Sequence, residues 1–337
     1  MNLPMAYGAP LGNPQGTGVN AQLIGASRAH RAMLEQLVCI AASEAPALIE
    51  GETGSGKELA ARAIHYDGER RKGPFVPVNC GALPDTLIES ELFGVQRGAF
   101  TDARQSRRGL VAEAEGGTLF LDEVDALSAK AQVTLLRFLQ DQRYRPVGTA
   151  REQCTDVRLI AAANRPLDVL VAQHEFRADL MYRIKILHLE LPPLREREDD
   201  VELLAYHFIR GFAAKYRREP LPLHPHTRAW LREYRWPGNV RELENWVHRQ
   251  FLMCRGAAIV HEPACAEPLE SALAAPAAFA DAKAEAVRCF ERSYLQRVLA
   301  ETGGNVTQAA RLAGKERRAF GKLLKKHGIA AQDHSGA

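Results

Sequence analysis

Long apolar runs are missing from this 337-residue sequence, and their absence excludes a transmembrane helix, which needs about 18 consecutive apolar residues. The first 22 residues lack a basic stretch followed by an apolar one, so we do not expect a secretory signal. The six cysteines form no CxxC pair, which argues against both a zinc site and a disulfide framework. Free thiols of this kind are typical of the reducing cytoplasm.

The charge is unevenly distributed along the chain. Residues 284–337 carry ten Lys and Arg against five Asp and Glu, a net charge of +5, whereas the rest of the chain carries −2. A small basic module attached to a nearly neutral body is typical of proteins that bind a polyanion.

Short apolar runs at 47–49, 75–78, 118–121 and 158–162 alternate with helical patterns. This alternation predicts an α/β fold with a mostly parallel sheet. The composition then changes several times along the chain and predicts a domain order. We expect a flexible segment at 1–22, an α/β subdomain at 23–194, a helical lid at 195–262, a linker at 263–283 and a basic helical domain at 284–330.

A phosphate-binding loop is predicted where an apolar strand meets a helical run. The motif G-x-x-x-x-G-K is matched by Gly51, Glu52, Thr53, Gly54, Ser55, Gly56 and Lys57. Its glycines let backbone N–H groups curl around phosphates, the following helix N-terminus adds positive potential, and the lysine reaches the terminal phosphates. Glu58 stands where a Ser or Thr that binds Mg²⁺ usually follows the lysine.

Two adjacent acids, Asp122 and Glu123, end the apolar run at 118–121. Together with the phosphate loop they predict a nucleotide-hydrolysing site, in which Asp122 binds Mg²⁺ and Glu123 polarises the attacking water. Arginines at 177, 183 and 241 are further candidates, because an arginine against the developing charge accelerates phosphoryl transfer. Arg177 and Arg183 lie in a polar segment, and Arg241 lies at the start of a lid helix.

The chain resembles a known family. Seven motifs occur in order, namely GETGSGKE, ELFG, GAFTDA, GGTLFLDE, FRADLMYR, LPPLRERE and WPGNVREL. Together they resemble the AAA+ domain of bacterial enhancer-binding proteins, which activate sigma-54 RNA polymerase. The resemblance covers residues 23–264 and a C-terminal helix-turn-helix, and Glu58 fits it because this family's phosphate loop normally reads GKE.

The resemblance implies an ATPase that uses ATP and Mg²⁺, with a role for each motif residue. Residues 51–58 are then the Walker A loop, and Asp122 with Glu123 is Walker B. Asn79 is the switch residue that holds Glu123, Asn164 is sensor I, and Arg241 is sensor II. Arg177 and Arg183 are the arginine fingers that act on the neighbouring subunit, which requires a homo-oligomeric ring, usually a hexamer.

The loop that touches the sigma factor in this family departs from its usual sequence. GAFTGA is replaced by GAFTDA, so Phe100 and Thr101 are retained and Asp102 replaces a glycine. Two hypotheses follow. The chain either remodels sigma-54 closed complexes into open ones, or it is a DNA-binding regulator on the same scaffold that has lost this remodelling. A generic AAA+ remodeller is a third reading, but it leaves GAFT and the helix-turn-helix unexplained.

The basic C-terminal module predicts a helix-turn-helix. A turn and N-cap at Asn305 precede a helix at 306–313, and Gly314 separates it from a second helix at 317–327. The second helix of such a motif enters the major groove, so double-stranded DNA is the expected partner, and the resemblance implies that this is enhancer DNA. Its outward basic residues are the candidates for DNA contact, the first three for bases and the last two for phosphates. They are Arg317, Arg318, Lys322, Lys325 and Lys326.

The segment before residue 23 is too short for a receiver or ligand-sensing domain. We therefore expect control by expression level, by a partner chain or by a separate inhibitor protein, rather than by a regulatory domain within the chain.

Overall fold

The computed structural model describes residues 23–84, 87–96, 106–254 and 256–261, and part of the C-terminal region. In that region the described residues are 287–288, 291, 294–295, 298–299, 302, 305–327 and 329. The predicted flexible segment 1–22, the loop residues Phe100, Thr101 and Asp102, and the linker 263–283 lie outside the described residues. The chain divides into two compact units between Val260 and His261.

A five-stranded parallel sheet occupies the centre of the first unit. The strands are β1 Ala47–Glu50, β2 Phe75–Asn79, β3 Gly94–Val95, β4 Arg107–Arg108, β5 Thr118–Asp122, β6 Arg143–Tyr144, β7 Gln153–Cys154, β8 Arg158–Ala163 and β9 Leu187–Glu190. The sheet order is β2-β5-β8-β1-β9, and two small antiparallel ladders join β3 to β4 and β6 to β7. The predicted α/β fold with a parallel sheet is therefore confirmed.

The helices of the first unit flank the sheet and then form the lid. They are α1 Arg28–Ala41, α2 Lys57–Tyr66, α3 Ile88–Phe93, α4 Leu110–Glu113, α5 Ala129–Asp141, α6 Leu167–Ala172, α7 Ala178–Ile184, α8 Asp200–Tyr216, α9 Pro225–Glu233 and α10 Asn239–Met253. Within the described ranges, none of the helices is both long and apolar enough to cross a membrane.

Alternation along the central strands separates two apolar cores. On β5, Leu119 and Leu121 contribute to the core that contains α5 and α7, whereas Phe120 packs with α1 and α2 on the opposite face. Each strand side chain points to the face opposite its neighbours, so a strand covered on both faces is apolar throughout. This explains why the three central strands, β1, β5 and β8, were readable as continuous apolar runs.

One edge of the sheet is β2, whose middle residue Pro77 is exposed, and β9 forms the other edge. The sequence analysis did not predict β9. Leu187 is half-buried, His188 and Glu190 are exposed, and Leu189 alone of these four residues is fully buried. An edge strand with so few buried side chains carries little hydrophobic signal.

The lid has its own core, built from α8, α9 and α10. Trp236, Leu243, Val247 and Phe251 are among its most buried residues. The indole of Trp236 donates to the carbonyl of Leu231 at 2.9 Å, so its polar atom is satisfied inside the core.

The second unit contains the two predicted helices of the C-terminal module, α11 Val306–Leu312 and α12 Arg317–Lys326. The side chain of Asn305 accepts hydrogen bonds from the N–H groups of Thr307 and Gln308, which confirms the predicted N-cap. Phe320 and Leu324 of α12 are buried against Leu295 and Val298, which come from the preceding segment.

Candidate nucleotide-binding site

The predicted phosphate loop connects the end of β1 to the start of α2. Gly54 and Gly56 have φ values of 78° and 102°, which side-chain-bearing residues rarely adopt. These two glycines turn the chain so that α2 begins directly at Lys57, with Gly56 as its N-cap residue. The unpaired N–H groups at this helix start form an anion-binding position.

Lys57 is buried, and its ammonium group contacts three oxygens. Its Nζ donates to the carbonyls of Gly51 at 2.7 Å and Glu52 at 3.1 Å, and to Oδ1 of Asn164 at 2.7 Å. Burial lowers the pKa of Lys57, and the nearby carboxylates, Asp122 first among them, partly oppose that shift. The ammonium group therefore lies inside the loop, at the position expected for a phosphate-binding lysine.

Asn164 connects the phosphate loop to the neighbouring strands. Its Oδ1 accepts from Thr53 Oγ1 at 3.2 Å as well as from Lys57, and its N–H donates to Asp125 Oδ1 at 3.1 Å. The residue follows β8, which lies between β1 and β5 in the sheet. Its side chain is thereby placed between the phosphate loop and the acidic end of β5.

The two acids at the end of β5 are both half-buried. Asp122 accepts the Glu123 N–H at 3.0 Å and pairs in register with Asn79 of β2. Burial raises the pKa of Asp122, against the hydrogen bond from Glu123 N–H and the charge of Lys57. Glu123 has left-handed backbone angles of φ 56° and ψ 45°. Strained backbone of this kind at a non-glycine residue is found preferentially at functional sites.

Glu123 and Asn79 meet at Gly81. A Cβ atom added to Gly81 would lie 2.6 Å from Glu123 Oε2 and 3.4 Å from Asn79 Oδ1. The Asn79 side chain accepts from the N–H of Ala82 and caps the short 3₁₀ helix Cys80–Ala82. Among the described hydrogen bonds, none joins Asn79 directly to Glu123, so the structure brings the pair close without linking it.

Glu58, also a candidate for the site, is paired with a neighbouring arginine on α2. Its carboxylate accepts two hydrogen bonds from Arg62, four residues further along α2, and is half-exposed. Ser55 is buried within the loop.

The lid contacts the phosphate loop through the start of α10. The N–H groups of Val240 and Arg241 lie 3.0 and 3.3 Å from the carbonyl of Gly54. Gly54 also approaches the lid backbone so closely that an added Cβ would lie 2.3 Å from the carbonyl oxygen of Gly238. Arg241 is therefore held beside the loop by main-chain contacts.

Arg177 and Arg183 lie at the two ends of α7. Arg177 is half-exposed and pairs with Asp179 at 2.6 Å, and this hydrogen bond holds the pKa of the Asp179 carboxyl below its usual range. Arg183 donates to the carbonyls of Leu139 and Gln140. Among the described contacts, neither arginine forms a hydrogen bond or ion pair with this chain's own phosphate loop.

The sequence analysis missed a small apolar cleft beside the phosphate loop. The cleft is lined by Leu23, Ile24, His30, Met33, Ser55, Gly56, Leu59, Leu191, Pro192, Arg197, Leu204 and Val240. These residues come from the start of the domain, the loop, the end of the sheet and the lid. In the sequence, the adjacent apolar residues Leu23 and Ile24 are a local sign of a buried segment. They do not indicate which distant residues complete the cleft.

In the second unit, the five predicted DNA-contact residues lie on α12, and all are exposed. Lys326 pairs with Glu291 at 3.0 Å, and His327 lies 2.8 Å from the same carboxylate. Phe320 and Leu324 fix the opposite side of α12 in the core, so the basic side chains remain directed outward.

Three family models match the chain in succession. Residues 23–190 match the sigma-54 interaction domain, 195–276 the AAA+ ATPase lid domain, and 286–327 the Fis family of bacterial regulatory proteins.

Curated proteins similar to the chain are bacterial regulators. Regulatory protein AtoC of Escherichia coli is 43% identical over 300 residues, which are 87% of this chain and 65% of AtoC. Transcriptional regulatory protein GlrR of the same organism is 42% identical, with 89% and 67% covered. The Nif-specific regulatory protein of Herbaspirillum seropedicae is 47% identical over 69% of this chain and 43% of its own length. The chain thus spans about two thirds or less of these three relatives.

Among solved structures, NtrX from Brucella abortus has a similar fold. Its complex with ATP is 32% identical to this chain with a TM-score of 0.66, covering 91% of this chain and 69% of NtrX. Its complex with ADP gives the same values.

Proposed function

This chain belongs to the sigma-54-dependent AAA+ family of bacterial transcriptional regulators, and we propose that it hydrolyses ATP to open promoters bound by sigma-54 RNA polymerase. It carries an AAA+ ATPase domain with its lid, and a Fis-type helix-turn-helix domain. The observation that carries the proposal is the convergence of Lys57, Asp122 and Asn164 on the phosphate loop in a chain with that DNA-binding module.

ATP would bind with its phosphates on the loop and its base in the apolar cleft. The N–H groups at the start of α2 and the ammonium of Lys57 offer donors for phosphate oxygens. The cleft lies directly beside Ser55 and Gly56, and its walls from Leu59, Pro192 and Val240 suit a flat heterocycle.

The residues at the end of β5 fit a magnesium ion. Mg²⁺ in nucleotide sites is held by one or two carboxylates together with substrate phosphates and water. Asp122 supplies such a carboxylate beside Lys57, and Mg²⁺ bound there would neutralise phosphate charge. The exposed carboxylate of Glu58, engaged by Arg62, is less well placed for this role.

Glu123 would act as the base that orients and polarises the attacking water. Its left-handed backbone and its position against Gly81 place the carboxylate next to Asn79, which we propose as its switch. Asn164 would sense the γ-phosphate from its position against Lys57.

Arg177 and Arg183 would act on the nucleotide of a neighbouring subunit. Arg177 is the N-cap residue of α7 and Arg183 lies in its last turn, and in the described contacts neither is bonded to the chain's own phosphate loop. We therefore propose a homo-oligomeric ring, a hexamer by family resemblance. In this ring Arg241 would contact the nucleotide bound to its own protomer, and the two arginines of α7 would contact the nucleotide bound to the neighbouring protomer.

The second unit would bind enhancer DNA through α12. Its exposed Arg317, Arg318 and Lys322 would reach bases in the major groove, and Lys325 and Lys326 would contact phosphates.

The test is open-complex formation on a sigma-54 promoter with purified sigma-54 RNA polymerase, ATP and this protein. We expect the wild type to open the promoter and Glu123→Gln to fail, with ATP hydrolysis lowered about 10²–10⁴-fold, the usual loss on removing a general base. Replacement of ATP by ADP is the control for hydrolysis.

The variant Asp102→Gly, which restores the usual loop sequence, separates the two functional hypotheses. Equal opening by wild type and Asp102→Gly supports the remodelling function. If the wild type does not open the promoter but Asp102→Gly does, the second candidate is favoured. That candidate is a DNA-binding regulator whose ATPase is intact and which has lost the remodelling of sigma-54 complexes.

A further inference from the structure

Asn239, the first residue of α10, lies at the junction between the lid and the phosphate loop. Its exposed fraction is 0%, and its φ of 52° is left-handed. Asparagine adopts this conformation more readily than most residues with a side chain. A fully buried amide in such a conformation needs specific partners for its donors and its acceptor.

The amide of Asn239 is satisfied from both sides of that junction. On the lid side, Oδ1 accepts from the N–H of Leu194, whose side chain packs in the lid core, at 2.8 Å. On the loop side, Nδ2 lies 3.1 Å from Glu52 Oε2 and 3.1 Å from the Thr53 carbonyl. The same nitrogen lies 3.5 Å from the carbonyl of Pro237.

A second contact fixes the loop carboxylate that Asn239 touches. Arg195 donates to both oxygens of Glu52, each at 2.8 Å, in a bidentate pair. These hydrogen bonds, followed by the one from Asn239, hold the pKa of the Glu52 carboxyl below its usual range. Glu52 is therefore a charged acceptor, and hydrogen bonds to charged groups are stronger than neutral ones.

The contacts of Asn239 also determine where the next two residues lie. Val240 and Arg241 follow it directly, and their N–H groups point at the carbonyl of Gly54. Because Asn239 binds the loop at Glu52 and Thr53, three consecutive loop residues contact three consecutive residues of α10. We therefore expect loss of the Asn239 contacts to loosen the start of α10 and so to displace the Arg241 side chain.

We propose that Asn239 is a positioning residue that fixes the lid on the phosphate loop and so presents Arg241 to the terminal phosphate of bound ATP. The inference rests on the proposed ATPase function and adds to it a residue that acts through Arg241. The hydrogen bonds of Asn239 with Leu194 and with Glu52 fix its amide on the two sides of this junction.

The test compares Asn239→Asp with wild type in the full chain. An aspartate keeps the acceptor for Leu194 N–H and tolerates the left-handed backbone, but it replaces the donor to Glu52 with a carboxylate. Asn239→Gly, which suits the backbone and removes the whole amide, is the second variant. Asn245→Asp, the same substitution at an exposed position of α10, is the matched control.

The steady-state kcat and KM for ATP are measured for each variant, alone and combined with Arg241→Ala. We expect Asn239→Asp to lower kcat/KM about tenfold, the size of one hydrogen bond to a charged group, and Asn245→Asp to leave it unchanged. In the Arg241→Ala background we expect Asn239→Asp to change kcat/KM by less than about twofold, because residues that act through one another are not additive.

A loss of equal size in both backgrounds would overturn the inference, since a purely structural role does not depend on Arg241. The same holds if both Asn239 variants retain wild-type kinetics. If Asn239→Asp does not fold, as judged by circular dichroism, the same comparison is made with Asn239→Gly, alone and combined with Arg241→Ala. A folded wild type without ATP hydrolysis would contradict the proposed function itself, so the two failures are distinguishable.

Discussion

Asp200 offers a sharp test of how the domain is held together. The side chain is 2% exposed and lies at the start of α8. It accepts hydrogen bonds from Ala26 N–H at 2.6 Å, Ser27 N–H at 3.0 Å and Ser27 Oγ at 2.9 Å, and pairs with Arg197 Nε at 3.1 Å. It therefore joins the lid to the segment that begins the α/β subdomain, 173 residues away in sequence.

We expect Asp200→Ala to lower the free energy of unfolding by about 3–5 kcal/mol, the cost of breaking a buried ion pair and leaving one charge unpaired. The unpaired charge would be Arg197, whose side chain is only 7% exposed. For a unit of this size that loss corresponds to a fall of about 10 °C in the melting temperature. Urea unfolding followed by tryptophan fluorescence and a thermal scan measure the two quantities.

The adjacent Asp199→Ala is the matched control. Asp199 pairs with Arg232 at 3.3 Å but is 81% exposed, so we expect a loss of at most about 1 kcal/mol. Replacing both charges by Arg197→Met with Asp200→Leu removes the unpaired guanidinium, and this double variant should lose less stability than Asp200→Ala. Equal, small losses for Asp200→Ala and Asp199→Ala would refute the reasoning.

The stability that Asp200 contributes depends on pH. Burial raises the pKa of the Asp200 carboxyl, but the hydrogen bonds from Ala26 and Ser27 and the charge of Arg197 outweigh it and hold the pKa below the ordinary 3.8. A depressed pKa means that the stabilisation is fully present above the ordinary value and is lost as the pH falls through the folded-state value. The difference between wild type and Asp200→Ala should therefore shrink in acid.

Two further outcomes are expected from the nucleotide and DNA sites. Lys57→Ala should lower ATP hydrolysis at least about 100-fold, which is the scale of losing one preorganised charge at the transition state. The control Lys130→Ala, at an exposed position of α5, should leave hydrolysis unchanged. Hydrolysis near the wild-type rate in Lys57→Ala would contradict the role assigned to Lys57. Lys325→Ala should weaken binding to all DNA sequences equally and reduce by about one the slope of log affinity against log salt concentration. Arg317→Ala should lower the binding free energy by about 1–3 kcal/mol on the specific site only. Fluorescence anisotropy in a salt series measures both effects. A sequence-dependent loss for Lys325→Ala would show that it reads bases.

Local patterns in the sequence predicted the parts of the fold that are encoded locally. The glycines of the phosphate loop, the apolar runs of β1, β5 and β8, and the N-cap at Asn305 each depend on neighbouring residues, and the structure has them where they were expected. The strand β9 was missed because it has only four residues, two of them apolar, which is too short a run to give a clear hydrophobic signal.

The residues that join distant segments could not be predicted in the same way. Asn239 was part of a recognised motif, but its contacts with Glu52 and Thr53 span more than 180 residues and follow only from the packing of the lid. The apolar cleft combines Leu23 with Val240, and Asp200 meets Ser27. Such contacts depend on the tertiary fold, so the hydrophobic periodicity of the sequence does not predict them.

Pro77 in the edge strand β2 limits how copies of this protein can associate. Thr118 N–H of β5 donates to the carbonyl of Pro74, so alternate residues of β2 bond to β5 and Pro77 belongs to the outward-facing set. At that position a strand of another chain would meet a ring carbon instead of an N–H donor. Sheet extension across subunits is thereby blocked at the β2 edge, so a subunit that packs there must do so through side-chain surfaces rather than through shared β-structure.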